Sequence, residues 1–363
     1  MSDNDCAQII IITHKTCREN LERVLKQFNA TKFIVKSKVV KIKMEIKMKN
    51  LMFEIISGKR VTKEEALELF GYESEDLFLA SSKIRKKYKG NKIKVCSIIN
   101  AKSGKCSENC KFCAQSTFNK TDVKVYPLVD TEKIKEVSTR ALENVGCFGI
   151  VSSGNSLNDE EISKLCEMFK THKKVSHLGV SIGKISDETF IKLKEAGIKK
   201  MHHNLETSEN FYPNICSTHS YQERVDTLKR AKKFGFELCS GGLFGMGESL
   251  KDRIDLAFTL KELGSDSVPM NFFMPIKGTA LAHLPTMMPI EILKTIAVFR
   301  IILQNPDIMI CGGRELHLRD IQSWIFQAGA NGMMTGGYLT TNGRDIAADK
   351  QMIKDLGLEL EIE

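Results

Sequence analysis

The chain has 363 residues, a formal net charge of +9 and eleven cysteines. No apolar run approaches the ~20 residues of a membrane-spanning helix, and the first residues are acidic where a secretory signal would be basic. A content of 42% hydrophobic and 27% charged residues indicates a folded protein and excludes a disordered one. We therefore expect a cytoplasmic protein, in which reduced cysteines bind metal or take part in catalysis sooner than they form disulfides.

The basic charge is concentrated at the beginning of the chain, where the first 50 residues hold eleven Lys and Arg against five Asp and Glu. An apolar run at Gln8–Thr13, helical spacing over Cys17–Phe28 and strict alternation over Lys41–Met48 predict a basic βαβ unit over residues 1–48. This unit resembles half of an ACT-type regulatory domain. Because the main domain has no clustered basic residues, we do not expect nucleic-acid binding.

Residues 49–363 form the predicted main domain, in which strand and helix patterns alternate. Thr62 and Glu65 form a capping box before a first helix, and a second helix covers Ser74–Lys89. The predicted strands are Lys94–Ile99, Cys147–Ser152, His177–Ile182, Lys199–Asn204, Glu237–Leu243, Ser267–Asn271, Ile308–Cys311 and Gly332–Thr335. The predicted helices are Thr131–Asn144, Asp159–Lys170, Asp187–Ala196, Tyr221–Phe234, Leu250–Leu263, Pro289–Leu303 and Leu316–Ala328. Eight β-α units predict an α/β fold, a (β/α)8 TIM-type barrel with its functional residues at the C-terminal ends of the strands.

Three closely spaced cysteines, Cys106, Cys110 and Cys113, follow the first predicted barrel strand. Three thiolates can hold three irons of a [4Fe–4S] cluster and leave the fourth iron open. An open iron can chelate the amino and carboxylate groups of S-adenosyl-L-methionine (SAM), and the cluster can then reduce its sulfonium to give a 5′-deoxyadenosyl radical. The spacing therefore predicts a radical SAM enzyme.

Two glycine-rich segments follow predicted strands, residues 151–155 (VSSGN) and 241–248 (GGLFGMGE). Small residues at the mouth of a barrel allow a ligand to approach the backbone closely. We expect Ser153, Gly154 and Gly247 to contact SAM, although small residues at a strand end also make ordinary turns.

A zinc site is the alternative interpretation of the three cysteines, and it would make the chain a zinc-stabilised binding protein without catalysis. A structural zinc ion needs a fourth ligand nearby. Ala114–Leu128 offers neither Cys nor His, which favours the iron–sulfur cluster.

Several stretches together resemble the biotin synthases, in the order of that family and over about residues 50–360. They are residues 102–116 (KSGKCSENCKFCAQS), 203–212 (HNLETSENFY), 221–228 (YQERVDTL), 239–242 (CSGG), 267–272 (SVPMNF) and 312–315 (GGRE). The resemblance implies sulfur insertion into dethiobiotin with two SAM molecules, a one-electron donor such as flavodoxin or ferredoxin, and a homodimer. A related radical SAM enzyme that assembles hydrogenase or thiazole cofactors remains the alternative, but it would not explain Asn271 and the Gly-Gly-Arg segment.

The resemblance also implies roles for individual residues. Asn204, Glu206 and Arg224 would hold SAM. Asn204 and Asn271 would face the ureido ring of dethiobiotin, which requires both a donor and an acceptor. We assign no ligand role to His202 or His203.

The family's auxiliary [2Fe–2S] cluster is held by three cysteines and an arginine, and the matching positions here are Gly149, Gly179, Cys239 and Arg314. The two glycines cannot bind iron. We therefore expect Cys96, Cys239 and Cys311 to hold an auxiliary cluster of different ligation, as in the variant biotin synthases of anaerobes. Arg314 stays in the catalytic set by its match.

Two more cysteines are weaker candidates for this auxiliary cluster. Cys216 is possible because its loop follows the fourth strand, and Cys147 would lie deeper on the inward face. Cys6, Cys17 and Cys166 have no predicted role.

Overall fold

The computed structural model describes residues 49–341 and 343–362. The βαβ unit predicted for residues 1–48 lies outside the described residues. Residues 55–363 form one compact unit, and residues 49–57 are helical. No helix in the described ranges is both long and apolar enough to span a membrane.

Parallel strands form a closed barrel, because β1 pairs with β2 on one side and with β9 on the other. The strands are β1 Lys92–Lys102, β2 Cys147–Ser152, β3 Leu178–Ser181, β4 Lys200–His202, β5 Glu237–Cys239, β6 Gly242–Phe244, β7 Ser267–Phe272, β8 Asp307–Ile310, β9 Gly332–Met334 and β10 Glu359–Glu361. Strands β5 and β6 both pair with β7 and form one interrupted barrel strand. Strand β10 lies beside the beginning of β1. The predicted (β/α)8 barrel is confirmed.

The alternation of side chains along the strands separates an outer apolar layer from the lumen. Ile93, Val95, Phe148 and Ile150 are buried, whereas residues between them, such as Cys147, are only half-buried. Since successive side chains on a strand point to opposite faces, the buried set packs under the helices and the half-buried set faces the lumen.

Helices cover the outside of the barrel. They are α1 Lys63–Glu68, α2 Ser74–Lys89, α3 Thr131–Ala141, α4 Asp159–Thr171, α5 Asp187–Glu195, α6 Tyr221–Lys233, α7 Leu250–Leu263, α8 Pro289–Leu303, α9 Arg314–Leu318, α10 Trp324–Gln327 and α11 Ile346–Asp355. The predicted capping box of Thr62 and Glu65 is present at α1. Helix α6 begins with a second such box, made by Ser220 and Glu223, and each box satisfies backbone N–H groups that the first turn leaves free.

One predicted helix is wrong as a continuous element. Residues 316–328 are divided between α9, a short 3-10 turn at Arg319–Ile321, and α10. Arg319 adopts φ 48°, which ends α9 because a residue in the left-handed region cannot continue a right-handed helix.

Candidate functional site

The barrel lumen holds a cavity of about 520 Å³ that collects most of the predicted site residues. The predicted residues that line it are Cys96, Cys106, Cys110, Cys113, Gly154, Asn204, Glu206, Arg224, Cys239, Asn271 and Cys311. They come from distant parts of the sequence and share one space because parallel barrel strands end at the same face.

The loop that carries Cys106, Cys110 and Cys113 is held in shape by its own backbone. Thr117 N–H donates to the carbonyl oxygen of Cys106 (2.9 Å). The side-chain amide of Asn119 donates to the carbonyl oxygens of Cys110 (3.1 Å) and Cys113 (2.8 Å). All three thiols face the cavity, so their donor chemistry and spacing fit a three-thiolate iron–sulfur site.

Burial makes the Cys113 thiol harder to ionise in the absence of a metal. Desolvation is the largest cause and raises the pKa of Cys113 to about 11, and the neighbouring Cys106 adds to it. A positive cluster would favour the thiolate here, since metal binding requires deprotonated sulfur.

Asn204, Glu206 and Arg224 form one polar group at the end of β4. Arg224 donates through Nη1 to the carbonyl oxygen of Asn204 (2.8 Å), and Asn204 Nδ2 lies 3.5 Å from Glu206 Oε2. Burial raises the pKa of Glu206, while the charge of Arg224 opposes this shift. A buried carboxylate with few partners is suited to accept hydroxyl groups of a bound ligand.

Asn271 lines the cavity on β7, separated from β4 by the interrupted strand β5/β6. Its Oδ1 accepts a hydrogen bond from Gly312 N–H (3.0 Å), and its Nδ2 lies 3.4 Å from the carbonyl oxygen of Gly242. These bonds fix the orientation of the amide, and each of its two polar atoms retains capacity for a further bond.

Two of the three predicted small-residue contacts lie away from the cavity. Ser153 is buried and donates through Oγ to the carbonyl oxygen of Gly104 (2.8 Å), so it supports the cysteine loop. Gly247, at φ 102°, belongs to a turn in which Glu248 accepts the N–H groups of Gly245 and Met246. Neither residue lines the cavity, and of the three only Gly154 does.

Four cysteines from the strands or their ends line the lumen, and they are Cys96, Cys147, Cys239 and Cys311. Cys96 and Cys147 are in register on neighbouring strands, with Cα atoms 4.8 Å apart, and they form a disulfide. In-register cysteines at this separation can bridge or bind one metal centre together. The signal for Cys147 was its position two residues before Gly149, on the same inward face.

The other two lumen cysteines are free thiols. Cys239 lies 3.2 Å from Nδ1 of His202, which sequence reasoning left without a role. Cys311 packs with Met309 and Met334, and Cys96 contacts this group. Burial raises the pKa of Cys239 to about 11 and also raises that of Cys311.

Cys216 is placed beside the cysteine loop and not with the lumen thiols. Its sulfur lies 3.7 Å from that of Cys110, and it does not line the cavity. The hydrogen bond from Cys110 is the largest cause that lowers the pKa of Cys216, to about 3. The loop after β4 approaches the loop after β1 at the barrel mouth, and this places Cys216, the possible auxiliary ligand, beside Cys110.

Arg314 is also placed differently from the expectation of a catalytic, cluster-binding arginine. Its side chain is fully buried, and its two terminal nitrogens donate to Asp349 at 3.0 and 2.8 Å. The guanidinium is absent from the cavity lining. Asp349 neutralises the buried charge and holds Arg314 against α11, while the Nε of Arg314 is buried without a hydrogen-bond partner.

The sequence matches two family descriptions in succession. Residues 101–260 match the Radical SAM superfamily, and residues 269–359 match the Biotin and Thiamin Synthesis associated domain. Methylornithine synthase (PylB) shares the fold, with a TM-score of 0.75 at 22% identity over 86% of this chain and 97% of that protein. The hydrogenase maturase HydG from Carboxydothermus hydrogenoformans gives a TM-score of 0.73 at 18% identity, over 95% of this chain and 85% of the other.

Curated relatives are much more similar. The biotin synthase of Endomicrobium trichonymphae is 83% identical over 314 residues, which are 86% of this chain and 98% of that protein. The biotin synthase of Geotalea uraniireducens (strain Rf4) is 48% identical over 322 residues, which are 87% of this chain and 98% of that protein. The chain therefore belongs to the biotin synthase family of radical SAM enzymes.

Proposed function

We propose that the barrel cavity performs the family's radical SAM sulfur insertion into dethiobiotin with SAM at its mouth and a second iron–sulfur cluster in its interior. The observation that supports this proposal is the shared cavity of the cysteine loop, the polar group of Asn204, Glu206 and Arg224, and the lumen thiols. No other described cavity combines such groups with the cysteine loop.

At the mouth, Cys106, Cys110 and Cys113 would hold a [4Fe–4S] cluster. When bound, this cluster supplies the electron for reductive cleavage of SAM, which generates the hydrogen-abstracting radical. Glu206 would accept the ribose hydroxyls, and Arg224 would fix the backbone of Asn204 beside it. Gly154 would leave room for the ligand because glycine has no side chain. Its φ of 99° is a backbone conformation that glycine adopts without strain.

Asn204 and Asn271 would hold the ureido ring of dethiobiotin between the two clusters. A ureido group offers both N–H donors and a carbonyl acceptor, and an amide side chain complements both. The bonds of Asn271 to Gly312 and Gly242 hold this amide in place before the substrate arrives, which lowers the ordering cost of binding.

In the lumen, Cys96, Cys239 and Cys311 would hold the auxiliary cluster, with Cys147 as a further candidate that lines the same cavity. Four sulfurs from β1, β2, β5 and the end of β8 offer the thiolate donors that iron–sulfur clusters require. The Cys96–Cys147 disulfide has to be reduced before either sulfur can bind iron. Gly149 and Gly179 supply no ligand, so this cluster would differ from the three-cysteine, one-arginine type.

Iron and sulfide analysis tests the auxiliary site. We expect Cys311→Ser to lose the iron and sulfide of the second cluster and to retain those of the first, measured after anaerobic reconstitution by iron and sulfide assay and Mössbauer spectroscopy. Cys166→Ser is the matched control, because Cys166 is a buried free thiol on α4, away from the cavity. Equal iron and sulfide contents in the two variants would exclude Cys311 from the ligand set.

Incubation of the reduced, reconstituted protein with SAM and dethiobiotin tests the reaction itself. We expect 5′-deoxyadenosine and biotin to form together. If 5′-deoxyadenosine forms without a sulfur-containing product at full cluster loading, the alternative of a cofactor-assembling radical SAM enzyme is favoured. We further propose a cytoplasmic homodimer that receives electrons from a flavodoxin or ferredoxin, which gel filtration and reduction kinetics would test.

A further inference from the structure

A second cluster of metal-binding groups lies at the barrel mouth, outside the set that holds SAM. It consists of Cys110, Cys216 and His219, whose ligand atoms all lie within 4.8 Å of one another. We call these three residues and Glu108 the mouth site. Cys110 and Glu108 belong to the cysteine loop, whereas Cys216 and His219 come from the loop after β4.

The distances within the mouth site match the edges of a tetrahedral metal site. The two sulfurs are 3.7 Å apart, and Nε2 of His219 lies 3.8 Å from Cys110 and 3.6 Å from Cys216. Zn–S and Zn–N bonds at tetrahedral angles give separations of about 3.8 Å between two sulfurs and about 3.6 Å between sulfur and nitrogen. An ion can therefore be placed among the three without a change of backbone.

Glu108 lies beside these three ligands and is not one of the mutually close group. It is only 8% exposed, and its Oε2 is buried without a hydrogen-bond partner. That oxygen lies 3.7 Å from Nε2 of His219. A buried carboxylate oxygen without a partner is costly unless a cation balances it, and a metal ion held by the other three ligands would do so.

The surroundings orient the histidine as they do in metal sites. Nδ1 of His219 lies 2.7 Å from the hydroxyl of Tyr212, which leaves Nε2 toward the sulfurs. An outer hydrogen bond on the second ring nitrogen is the usual support of a metal-binding histidine. Asn109 accepts hydrogen bonds through Oδ1 from Ser217 N–H (2.9 Å) and Thr218 N–H (3.2 Å), so the two loops are fastened together.

The charges of the mouth site balance around a divalent ion. Two thiolates and the Glu108 carboxylate carry three negative charges, and the ion contributes two positive ones. Arg224 Nη2 lies 3.4 Å from Nε2 of His219 and supplies the remaining positive charge. On metal binding, the contact between this guanidinium nitrogen and Nε2 gives way to the metal–nitrogen bond, and Arg224 keeps its bonds to Tyr212 and to the backbone of Asn204.

We propose that the cluster-free chain holds one divalent transition-metal ion of the Zn²⁺ or Fe²⁺ class at Cys110, Cys216 and His219, with the buried Glu108 carboxylate beside it to balance its charge. Binding displaces the thiol protons of the two cysteines to solvent, with no change in the oxidation state of the metal or the sulfur. The single ion and the [4Fe–4S] cluster compete for the Cys110 thiolate. The proposal goes beyond the proposed sulfur insertion and does not depend on it.

Cobalt titration of the reduced, cluster-free full chain tests the proposal without SAM or dethiobiotin. We expect one Co²⁺ per chain with the visible bands of tetrahedral cobalt and ultraviolet thiolate-to-metal bands. Cys216→Ser and His219→Ala should each weaken Co²⁺ binding at least ~100-fold, since each removes a direct ligand, whereas Tyr212→Phe should weaken it about tenfold. Circular dichroism confirms that each variant is folded.

Cys106→Ser and Cys113→Ser are the matched controls, because they alter the cysteine loop but leave the mouth site complete. We expect both to bind Co²⁺ like the unaltered chain. If they abolish binding while Cys216→Ser does not, the ion lies on the cysteine loop and the proposal is wrong. A six-coordinate cobalt spectrum without thiolate bands would also overturn it.

Zinc competition separates the two metal species. When Zn²⁺ is present before anaerobic reconstitution, we expect the iron content of the unaltered chain to fall, and that of Cys216→Ser to fall much less. Zn²⁺ added alone should displace Co²⁺ from the unaltered chain, because a tetrahedral thiolate site favours zinc. Equal inhibition by Zn²⁺ of both proteins would show that zinc acts at the cysteine loop, and it would contradict the mouth site.

Discussion

Arg314 and Asp349 form an ion pair from which solvent is fully excluded. Both side chains have no exposed surface, and Asp349 also accepts the hydroxyl of Thr335 at 2.8 Å. Glu315 also lies 3.2 Å from Arg314, and Arg344 lies 3.7 Å from Asp349, but the closest compensation of each buried charge is the other one, and an unpaired charge in the interior is costly. This pair fastens α11 to the residue that follows the Gly-Gly turn.

Removal of the carboxylate should show this dependence. We expect Asp349→Ala to lower the free energy of unfolding by about 3 kcal/mol, because it leaves the buried Arg314 charge with Glu315 as its remaining ion-pair partner. Urea unfolding of the cluster-free chain measures the change. Asp355→Ala, on the exposed side of the same helix, should change it by no more than about 0.5 kcal/mol. Equal effects of the two substitutions would show that the pair contributes no stability.

At the scale of elements, the interruption between β5 and β6 positions the polar group that follows β4. Gly241 lies in the gap, and its N–H donates to Oδ1 of Asn204 at 3.1 Å. Its carbonyl oxygen accepts from Leu205 N–H at 3.0 Å. A Cβ atom at Gly241 would overlap the carbonyl oxygen of Pro269 on β7. The close approach of the two backbones therefore requires glycine at this position.

We expect Gly241→Ala to lower the free energy of unfolding by about 1–3 kcal/mol through overpacking, and to weaken SAM binding because Asn204 must shift. Thermal melting and calorimetric titration with SAM measure the two effects. Gly71→Ala is the control, since no atom lies within 4 Å of the added methyl group. If the two alanine variants have the same melting temperature and the same affinity for SAM, the interpretation is wrong.

At the scale of the whole molecule, buried histidines make stability depend on pH. Burial is the largest cause that lowers the pKa of His172, His202 and His203, and for His203 the pKa is lowered well below its usual value. The unfolded chain then binds more protons than the folded chain once the pH falls below about 6.5. Stability is therefore complete above this pH and decreases as the pH falls.

Melting curves between pH 7.5 and pH 5.5 should show this decrease in the cluster-free chain. Each histidine that remains neutral in the fold contributes a loss of up to about 1.4 kcal/mol per pH unit below the unfolded pKa. We expect His203→Asn to flatten the dependence. An unchanged slope in this variant would show that His203 does not contribute to it.

The basic βαβ unit predicted for residues 1–48 also concerns the molecule as a whole. We propose that residues 1–48 form a separate unit without a catalytic part, as the sequence pattern predicts. Their deletion should leave the melting temperature unchanged, because the compact unit begins at Ile55. Cluster content and biotin formation should stay within about twofold of those of the full chain. Loss of turnover with an intact melting transition would assign the basic βαβ unit a role in catalysis.

Local patterns predicted the barrel and the cysteine loop, because strand alternation and short spacings are visible within a few residues. Contacts between residues that are far apart in the sequence could not be predicted from these local patterns. Cys216 reaches Cys110 over a separation of 106 residues, and Arg314 meets Asp349 over 35. Such contacts depend on how loops and the last helix pack, and no periodicity in the sequence encodes them. For the same reason the sequence shows no zinc ligand close to Cys113, since the candidate ligands Cys216 and His219 come from the loop after β4.

The closure of β1 against both β2 and β9 has a consequence for synthesis on the ribosome. One of the two neighbours of β1 is synthesised near the end of the chain, since Val95 pairs with Met333 on β9. At typical bacterial elongation rates the intervening segment takes roughly 10–50 s to emerge. During that time one side of β1 is an unpaired strand edge, which favours association with other chains. Chaperone binding to nascent chains should therefore end only after β9 has left the ribosome.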